Sequence, residues 1–264
     1  MDSSPATSLC LQPAKTVNPL PFSDGQNPPL LFHSCHHKCG THWLRRILTG
    51  VARRYGLNFI PFSEESSTPA SGIVFDQQSR IDTVLLPAYR GSHMIRDPRD
   101  VVVSGYFYHL WTKEDWVHRP QNRYNGLSYQ QYLNSLSIED GLIAEILVSA
   151  FVFKQMRKWD YSDANTLELK YESCFDDPVN SFAPLFRHYG FVDEAVEISL
   201  KIASDSTFES IARRKPGVIQ NRQVTRSGQP GQWRQHFTQR VKDEFRNQAG
   251  DLLQVLAYEI NDDW

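Results

Sequence analysis

The sequence predicts an α/β fold in which a central parallel sheet is flanked by helices. Short apolar runs that predict buried strands alternate with longer segments of helical periodicity, an order typical of parallel sheets. At 264 residues and 40% hydrophobic content, the chain is long enough to bury one full core. We therefore expect a single domain over residues 30–264, preceded by a loose arm, residues 1–29, rich in proline, serine and asparagine.

The first strand–loop–helix unit carries most of the functional signal. PLLF, residues 29–32, is an apolar run that predicts a buried strand. After Gly40, the apolar residues of THWLRRILTGVARRYG recur at helical spacing, and Gly56 supplies a helix stop. The stretch HSCHHKCGTH, residues 33–42, is therefore predicted to be the turn between the strand and the helix.

Two later units repeat the order of strand and helix. GSHMI, residues 91–95, predicts a strand, and Asp97 and Pro98 provide the N-cap and the first helical residue that should follow it. TLELKYE, residues 166–172, alternates as a strand does, and Asp177 then opens another predicted helix. Three such units in one chain favour a single parallel sheet.

Two other segments differ from these units. GLIAEILVSAFVF, residues 141–153, has apolar residues at helical spacing, is too short to span a bilayer and contains Glu145, so it predicts a core helix. Residues 106–132 are dense in aromatic and polar side chains and have little periodicity. Segments of this kind often form lids or pocket walls; the alternative is an ordinary packed surface loop.

Charge and cysteine content exclude several classes of protein. A net charge of −2 argues against a general nucleic-acid binder. The four cysteines have no spacing that indicates a disulfide framework, and the N-terminal residues lack the features of a secretory signal. We therefore expect a cytoplasmic protein with neither nucleic-acid nor membrane partners.

HSCHHKCGTH contains four histidines and two cysteines, so it could be either a metal site or an anion loop. Zinc needs three or four converging ligands, but Cys35 and Cys39 have no second pair at a recognisable spacing, and Lys38 would repel a cation. In a strand–loop–helix turn, amide N–H groups and the helix dipole favour an anion. Gly40 would let the ligand approach the backbone closely. These observations favour an anion site over a metal site.

Five segments, in the same order, resemble the sulfotransferases that use 3′-phosphoadenosine 5′-phosphosulfate (PAPS). HKCGTHW (37–43) resembles that family's PKSGTTW loop, and RDPRDVVVS (96–104) resembles its 3′-phosphate segment. KYES (170–173), STFESI (206–211) and RSGQPGQWRQHFT (226–238) resemble three later motifs. The chain departs from the family's motifs at Cys39, His42 and Ser227.

The resemblance implies a P-loop-like sulfotransferase fold, PAPS as donor, adenosine 3′,5′-bisphosphate (PAP) as product and no metal. Arg96, Ser104 and Arg226 would hold the 3′-phosphate, whose charge needs several donors. Trp43 and Phe208 would enclose the adenine, with Tyr171 at its edge. Lys38 would stabilise the charge that develops on the leaving phosphate. The residues assigned to the donor in this way are Lys38, Cys39, Gly40, Thr41, His42, Trp43, Arg96, Ser104, Tyr171, Phe208, Arg226, Ser227 and Gly228.

The general base is harder to assign, because the family's histidine is missing. Members usually carry it in a segment before the arginine that matches Arg96, where this chain has GIVFDQQSR, residues 72–80. Asp76 lies nearest to that position, and we predict that it removes the acceptor's proton, with His109 and His42 as alternatives.

The acceptor is expected to be a small molecule with a hydroxyl or an amine. Acidic residues in the loops predicted to line its pocket make a cationic acceptor one hypothesis: Glu64, Glu65, Glu114 and Asp115. The oligomeric state stays open between monomer and homodimer.

Two alternative functions also stay open. A nucleotide-dependent phosphotransferase is disfavoured because no GxxxxGK[ST] loop is present, and a non-catalytic nucleotide-binding module would be separated by a turnover assay.

Overall fold

The computed structural model describes residues 20–23, 29–65, 69, 71–207, 209–210, 213, 215–220, 222 and 226–264. Within these residues, five parallel strands form one sheet. The strands are β1 (Leu30–Cys35), β2 (Phe59–Pro61), β3 (Gly72–Asp76), β4 (Tyr89–Ile95) and β5 (Thr166–Lys170). Their order across the sheet is β2-β3-β1-β4-β5.

Ten α-helices surround this sheet in the part of the chain that the structure describes. They are α1 (Thr41–Tyr55), α2 (Pro98–His109), α3 (Asp115–His118), α4 (Tyr129–Ser135), α5 (Ile138–Lys158), α6 (Tyr171–Asp176), α7 (Pro178–His188), α8 (Asp193–Ser204), α9 (Gln239–Ala249) and α10 (Leu252–Val255). Short 3₁₀ helices occupy Thr83–Leu85, Asn122–Tyr124 and Gln232–Gln235. Of the helices so described, none is long and apolar enough to cross a membrane. The predicted α/β class with a parallel sheet is confirmed.

The sheet explains why distant segments meet at one place. β1 is central and fully buried, and it pairs with β3 on one side and β4 on the other. Cys35 lies opposite Met94, and Ile95 lies opposite Lys170, so the carboxyl ends of β1, β4 and β5 are in register. Because the strands are parallel, the segments that follow them leave from one edge, where open α/β sheets bind their ligands.

Several boundaries differ from the sequence-based prediction. β5 ends at Lys170 rather than continuing to residue 172, because Tyr171 begins helix α6 and the Glu172 carboxylate accepts the Asp97 backbone N–H at 2.9 Å. Residues 106–132 are not irregular: α2 runs through His109, and α3 and α4 follow. The predicted core helix is confirmed as α5.

The N-terminal arm is described only at residues 20–23 and 29, and the first of these stretches is not loose. Phe22 is buried and meets Phe191 edge to face, with ring centroids 5.5 Å apart. The Pro21 carbonyl accepts the Val192 N–H at 2.9 Å. Pro21 and Phe22 therefore pack against the rest of the chain, and residues 1–19 and 24–28 lie outside the described residues.

A cluster of histidines is buried next to the carboxyl edge of the sheet. His33 Nδ1 lies 2.8 Å from Ser92 Oγ, His93 Nδ1 lies 2.8 Å from Glu168 Oε2, and the Nε2 atoms of His36 and His93 are 3.1 Å apart. Burial lowers the pKa of His33 and of His93 to about 3, and it lowers the pKa of His36 well below its usual range. Burial raises the pKa of Glu168 to about 8.

We expect the free energy of unfolding to decrease as pH falls below about 6.5. The unfolded chain protonates these histidines there, whereas the folded chain resists protonation until the pH approaches 3. Glu168 acts in the opposite direction and offsets one histidine, because its folded-state pKa is raised. A difference of one bound proton between the unfolded and the folded chain changes the free energy of unfolding by about 1.4 kcal/mol per pH unit.

Urea unfolding between pH 7.5 and 5.0 measures this slope. His33→Gln should make it shallower, because it removes one of the buried histidines. A free energy of unfolding that stays constant across this range would contradict the prediction.

Candidate active site

A cavity of about 720 Å³ lies at the carboxyl edge of the sheet. Its wall is built from the loop after β1, from α2 and α5, from the start of α6 and from residues around Arg226. The predicted site residues that line it are Lys38, Gly40, Thr41, His42, Trp43, Arg96, Ser104, His109, Tyr171, Arg226, Ser227 and Gly228. The structure thus brings together residues from all the described motifs.

The anion loop, residues 36–42, is a tight turn between β1 and α1. Lys38 and Gly40 both have left-handed backbones, with φ of 63° and 83°. A Cβ at position 40 would lie 2.9 Å from Met94 Sδ and 3.2 Å from the Tyr171 ring, so only glycine fits there. No side chain in the described chain caps the N-terminus of α1 at Gly40, and the first-turn amides and the helix dipole favour an anion.

The side chain of Lys38 extends from the anion loop to Tyr108 in the aromatic segment. Its Nζ sits 3.8 Å from the centroid of the Tyr108 ring, and its carbonyl accepts a hydrogen bond from Arg96 Nη1 at 3.4 Å. Burial, followed by the charge of Arg96, lowers the pKa of Lys38 to about 7. Lys38 is therefore a cation whose charge depends strongly on what occupies the cavity.

Two buried arginines mark the predicted 3′-phosphate position. Arg96 stacks over Tyr171 at 4.6 Å, and Arg226 stacks over Phe107 at 4.1 Å. Burial, with Arg96 as the second cause, lowers the pKa of Arg226 to about 10. Ser104 lines the cavity beside them. Because burial and the charge of Arg96 lower the pKa of Arg226, an anion bound here would offset the repulsion between the two guanidinium groups.

Asp100 is a carboxylate inside this positive region, and its contacts explain its presence. Its two oxygens accept the backbone N–H groups of Gly231 at 2.6 Å and Trp233 at 2.9 Å. It also lies 3.7 Å from Arg96 Nη2. Asp100 therefore ties the loop that carries Arg226 to the start of α2.

The predicted adenine side is only partly described. Trp43 meets Tyr171 and Phe182 edge to face, with centroids 5.9 and 5.4 Å apart. The Tyr171 hydroxyl donates to the Gly228 carbonyl at 2.7 Å. Phe208, the other predicted stacking residue, lies outside the described residues.

The remaining loop residues differ in what they present to the cavity. Thr41 Oγ1 lies 3.3 Å from Cys35 Sγ, and the exposed His42 lines the cavity wall. The Cys39 thiol is buried and points back to the His37 carbonyl at 3.7 Å. Cys39 therefore contributes backbone rather than a side chain. Ser227 is buried at the cavity wall beside Gly228.

The structure does not place Asp76 where a base is needed. Its carboxylate is buried in the turn after β3, where it accepts the Ser34 hydroxyl and the backbone N–H groups of Gln78, Arg80 and Ile81. The cavity wall is formed instead by its neighbours, Gln77 and Gln78. The oxygens of Asp76 hold this turn together, so the geometry favours one of the alternative bases over Asp76.

His109, the alternative base, is well placed. It is buried, it lines the cavity, and its Nδ1 lies 2.9 Å from Glu145 Oε2. Its Nε2 is buried and has no hydrogen-bond partner in the described structure. Buried ring nitrogens are normally hydrogen-bonded, so this atom has an unused capacity for one hydrogen bond.

Sequence reasoning missed two residues next to His109. In the sequence, Glu145 is only an acidic residue within an apolar helix. A carboxylate predicted to lie in a core helix nevertheless indicates that another side chain must pair with it. His37 stacks parallel to His109, with ring centroids 5.4 Å apart and an angle of 5° between the planes. In the sequence, the one signal at His37 is that it replaces the proline of the family's PKSGTTW loop.

The donor set at this site suits an anion rather than a metal ion. Across the described ranges, no group of three or more histidine, cysteine or carboxylate side chains could hold a metal. The three cysteines in those ranges, Cys35, Cys39 and Cys174, are free and buried.

Comparison with known proteins agrees with this geometry. Residues 82–255 match the sulfotransferase domain family. Human sulfotransferase 2A1 is 25% identical over 254 residues, covering 84% of each chain, and mouse sulfotransferase 2A2 is 23% identical over 228 residues, covering 76% of each.

Solved structures show the same fold. Mouse sulfotransferase SULT7A1 complexed with PAP aligns with a TM-score of 0.58 at 19% identity, covering 86% of this chain and 85% of the other. Retinol dehydratase in complex with androsterone and the inactive cofactor PAP aligns with a TM-score of 0.50 at 15% identity, covering 87% and 82%. The P-loop-like fold is thereby confirmed. Because the family match covers more than half of the sequence, the chain belongs to the sulfotransferase family and is a PAPS-dependent sulfotransferase.

Proposed function

We propose that this enzyme transfers the sulfuryl group of PAPS to a hydroxyl or amine of a small molecule bound in the cavity, with His109 as general base. The observation that carries the proposal is that Lys38 and His109 both line one cavity, and that the buried Nε2 of His109 has no hydrogen-bond partner among the described residues. A group that can stabilise a leaving phosphate and a group that can accept a proton thus meet in one space.

Donor binding is assigned to the anion loop and the two arginines. The loop amides and Lys38 would hold the 5′-phosphosulfate, and Arg96, Ser104 and Arg226 would hold the 3′-phosphate. Trp43 and Tyr171 line the same cavity and would contact the adenine. His42 would face the donor from the first turn of α1.

The transfer is an in-line displacement at sulfur. A bond forms between the acceptor's oxygen or nitrogen and sulfur, while the bond from sulfur to the 5′-phosphate oxygen breaks and its electron pair stays on that oxygen. Lys38 and the loop amides stabilise the resulting charge, and the acceptor's proton passes to His109 Nε2. The products are PAP and the sulfated acceptor.

The acceptor end of the cavity supports a neutral acceptor better than a cationic one. Glu114 accepts the Tyr108 hydroxyl and the Trp116 indole N–H, both at 2.8 Å, and Glu64 pairs with Arg80 at 3.2 Å. These two carboxylates already have partners. Apolar side chains of α5 line the same wall: Val148, Phe151 and Val152.

The free, buried thiols support the proposal that the enzyme works in the cytoplasm.

The donor assignment predicts selective stabilisation by PAP. At about 100 times its dissociation constant, PAP should add about 2.7 kcal/mol to the free energy of unfolding and raise the melting temperature by about 5–10 °C. AMP, which lacks the 3′-phosphate, should raise it much less. Thermal unfolding with PAP, AMP and ATP–magnesium in parallel measures the difference.

The outcome of that comparison decides the donor. A shift with ATP–magnesium and none with PAP would show that the loop binds a different nucleotide and would overturn the proposal. Once PAP binding is established, the first turnover assay is sulfuryl transfer from PAPS to 2-naphthol. This acceptor is a flat aromatic alcohol, chosen to match the apolar side chains of α5 in the cavity wall.

A further inference from the structure

We propose that Glu145 is a positioning residue which, with Tyr129, fixes His109 in the form that accepts a proton at the acceptor end of the cavity. This inference rests on the proposed function, because it explains how the proposed base is prepared for its role. It concerns three side chains from three helices: His109 at the end of α2, Tyr129 at the start of α4 and Glu145 in α5.

Glu145 is held in a place where an unpaired carboxylate would be costly. It is 1% exposed, in a helix whose neighbouring buried residues are largely apolar. Its Oε2 accepts two hydrogen bonds, one from the Tyr129 hydroxyl at 2.7 Å and one from His109 Nδ1 at 2.9 Å. The carboxylate therefore has the imidazole as a specific partner rather than serving as a general surface charge.

The backbone makes room for this carboxylate. A Cβ at Gly105, one turn before His109 on α2, would lie 2.3 Å from Glu145 Oε1. Any larger residue at position 105 would push the carboxylate away from the ring. The absence of a side chain at Gly105 thus allows α2 and α5 to approach closely enough for the two groups to meet.

The hydrogen bonds determine which ring nitrogen carries the proton. The Tyr129 hydroxyl is a donor, and both burial and Glu145 raise its pKa, so it keeps its hydrogen. The Glu145 Oε2 atom that accepts the Tyr129 hydroxyl also accepts from His109, so this contact places a hydrogen on Nδ1. The other nitrogen, Nε2, is then left with a free lone pair.

Neighbouring side chains fix the plane of the ring. His37 covers one face in a parallel stack, and Trp116 meets it edge to face with centroids 4.9 Å apart. The amide of Gln130 donates to the His109 carbonyl at 3.1 Å and thereby ties α4 to the end of α2. The orientation and the tautomer of His109 are therefore both fixed before an acceptor binds.

In the transfer step, the O–H bond of an alcohol acceptor breaks as its oxygen bonds to sulfur, and the proton goes to His109 Nε2. Glu145 then faces an imidazolium and stabilises its charge through the same hydrogen bond; the carboxylate itself takes up no proton. After the products leave, His109 returns the proton to water.

Nitrogen-15 NMR of histidine-labelled protein tests this arrangement without any acceptor. The chain has nine histidines, and His109→Gln identifies the resonances of His109 by difference. We expect hydrogen on Nδ1 in the wild type and a change of tautomer pattern in Glu145→Gln. A wild-type ring that carries its hydrogen on Nε2 and none on Nδ1 would overturn the inference.

Kinetics with 2-naphthol separates positioning from folding. Glu145→Gln should lower kcat by about 10–100-fold while the KM for 2-naphthol and the melting-temperature shift with PAP stay within about twofold of wild type. Tyr129→Phe is the matched control, since it removes the other hydrogen bond of the same oxygen, and it should lower kcat less. Equal losses in both variants would mean that only the packing of α5 matters and would contradict the assignment.

A double variant distinguishes this inference from the proposed function. If Glu145 acts only through His109, the Glu145→Gln/His109→Gln variant should be no slower than His109→Gln alone, whereas additive losses would contradict a shared role. Failure of PAP to bind the wild type would instead overturn the donor assignment and leave the NMR result intact.

Discussion

Replacing His109 with glutamine is expected to lower kcat for sulfuryl transfer by about 10²–10⁴, the range for losing a positioned general base. Glutamine keeps most of the side-chain volume and can still hydrogen-bond to Glu145, so the packing of α2 against α5 should persist. It offers no basic nitrogen at the position of Nε2. The acceptor's proton would then leave to water, and the loss should appear in kcat rather than in donor binding.

Initial rates at saturating PAPS, combined with the melting-temperature shift caused by PAP, check this result. His118→Gln is the matched control, because His118 is an exposed histidine on α3, the helix that follows α2. It should retain wild-type kcat. A His109→Gln enzyme that keeps its kcat within about threefold would show that another group removes the proton.

Much of the fold was predictable because its signals are local. Strand runs, helix periodicity and capping residues report on neighbours in the chain, and Asp97 does cap α2 by accepting the Arg99 N–H at 2.9 Å. Parallel strands then place their carboxyl ends together. This geometry is why Lys38, Arg96 and Tyr171 could be assigned to one site from motifs far apart in the sequence.

The base could not be predicted in the same way. Its environment depends on the packing of α2 against α5, which brings His109 and Glu145 together across 36 positions. Asp76 was favoured because of its distance along the chain from Arg96. That distance contains no information on the turn after β3, where backbone N–H groups donate hydrogen bonds to the Asp76 carboxylate. Residue spacing shows where a side chain lies along an element, whereas its hydrogen-bond partners are a property of the folded turn.

Replacing Lys38 with alanine is the second change with a large expected effect, a loss of about 10²–10³ in kcat. Without its ammonium, the loop retains amide donors but no mobile positive charge near the 5′-phosphate oxygen that leaves sulfur. Because burial lowers the pKa of Lys38 to about 7 in the empty cavity, a bound anion must restore its proton. PAP should therefore bind less tightly to the wild type as pH rises above about 7, and this pH dependence should be weaker in Lys38→Ala.

Calorimetric titration of PAP between pH 6.5 and 8.5, alongside kcat with 2-naphthol, tests both parts of this prediction. Lys113→Ala, which removes an exposed lysine from the segment between α2 and α3, should change neither quantity. The rate loss and the weakened pH dependence have one cause, the ammonium of Lys38 in the anion loop, so they should appear together. If Lys38→Ala lost rate but kept the wild-type pH dependence of PAP binding, another group would be taking up the proton, and the buried Lys38 would not be the anion's counter-charge.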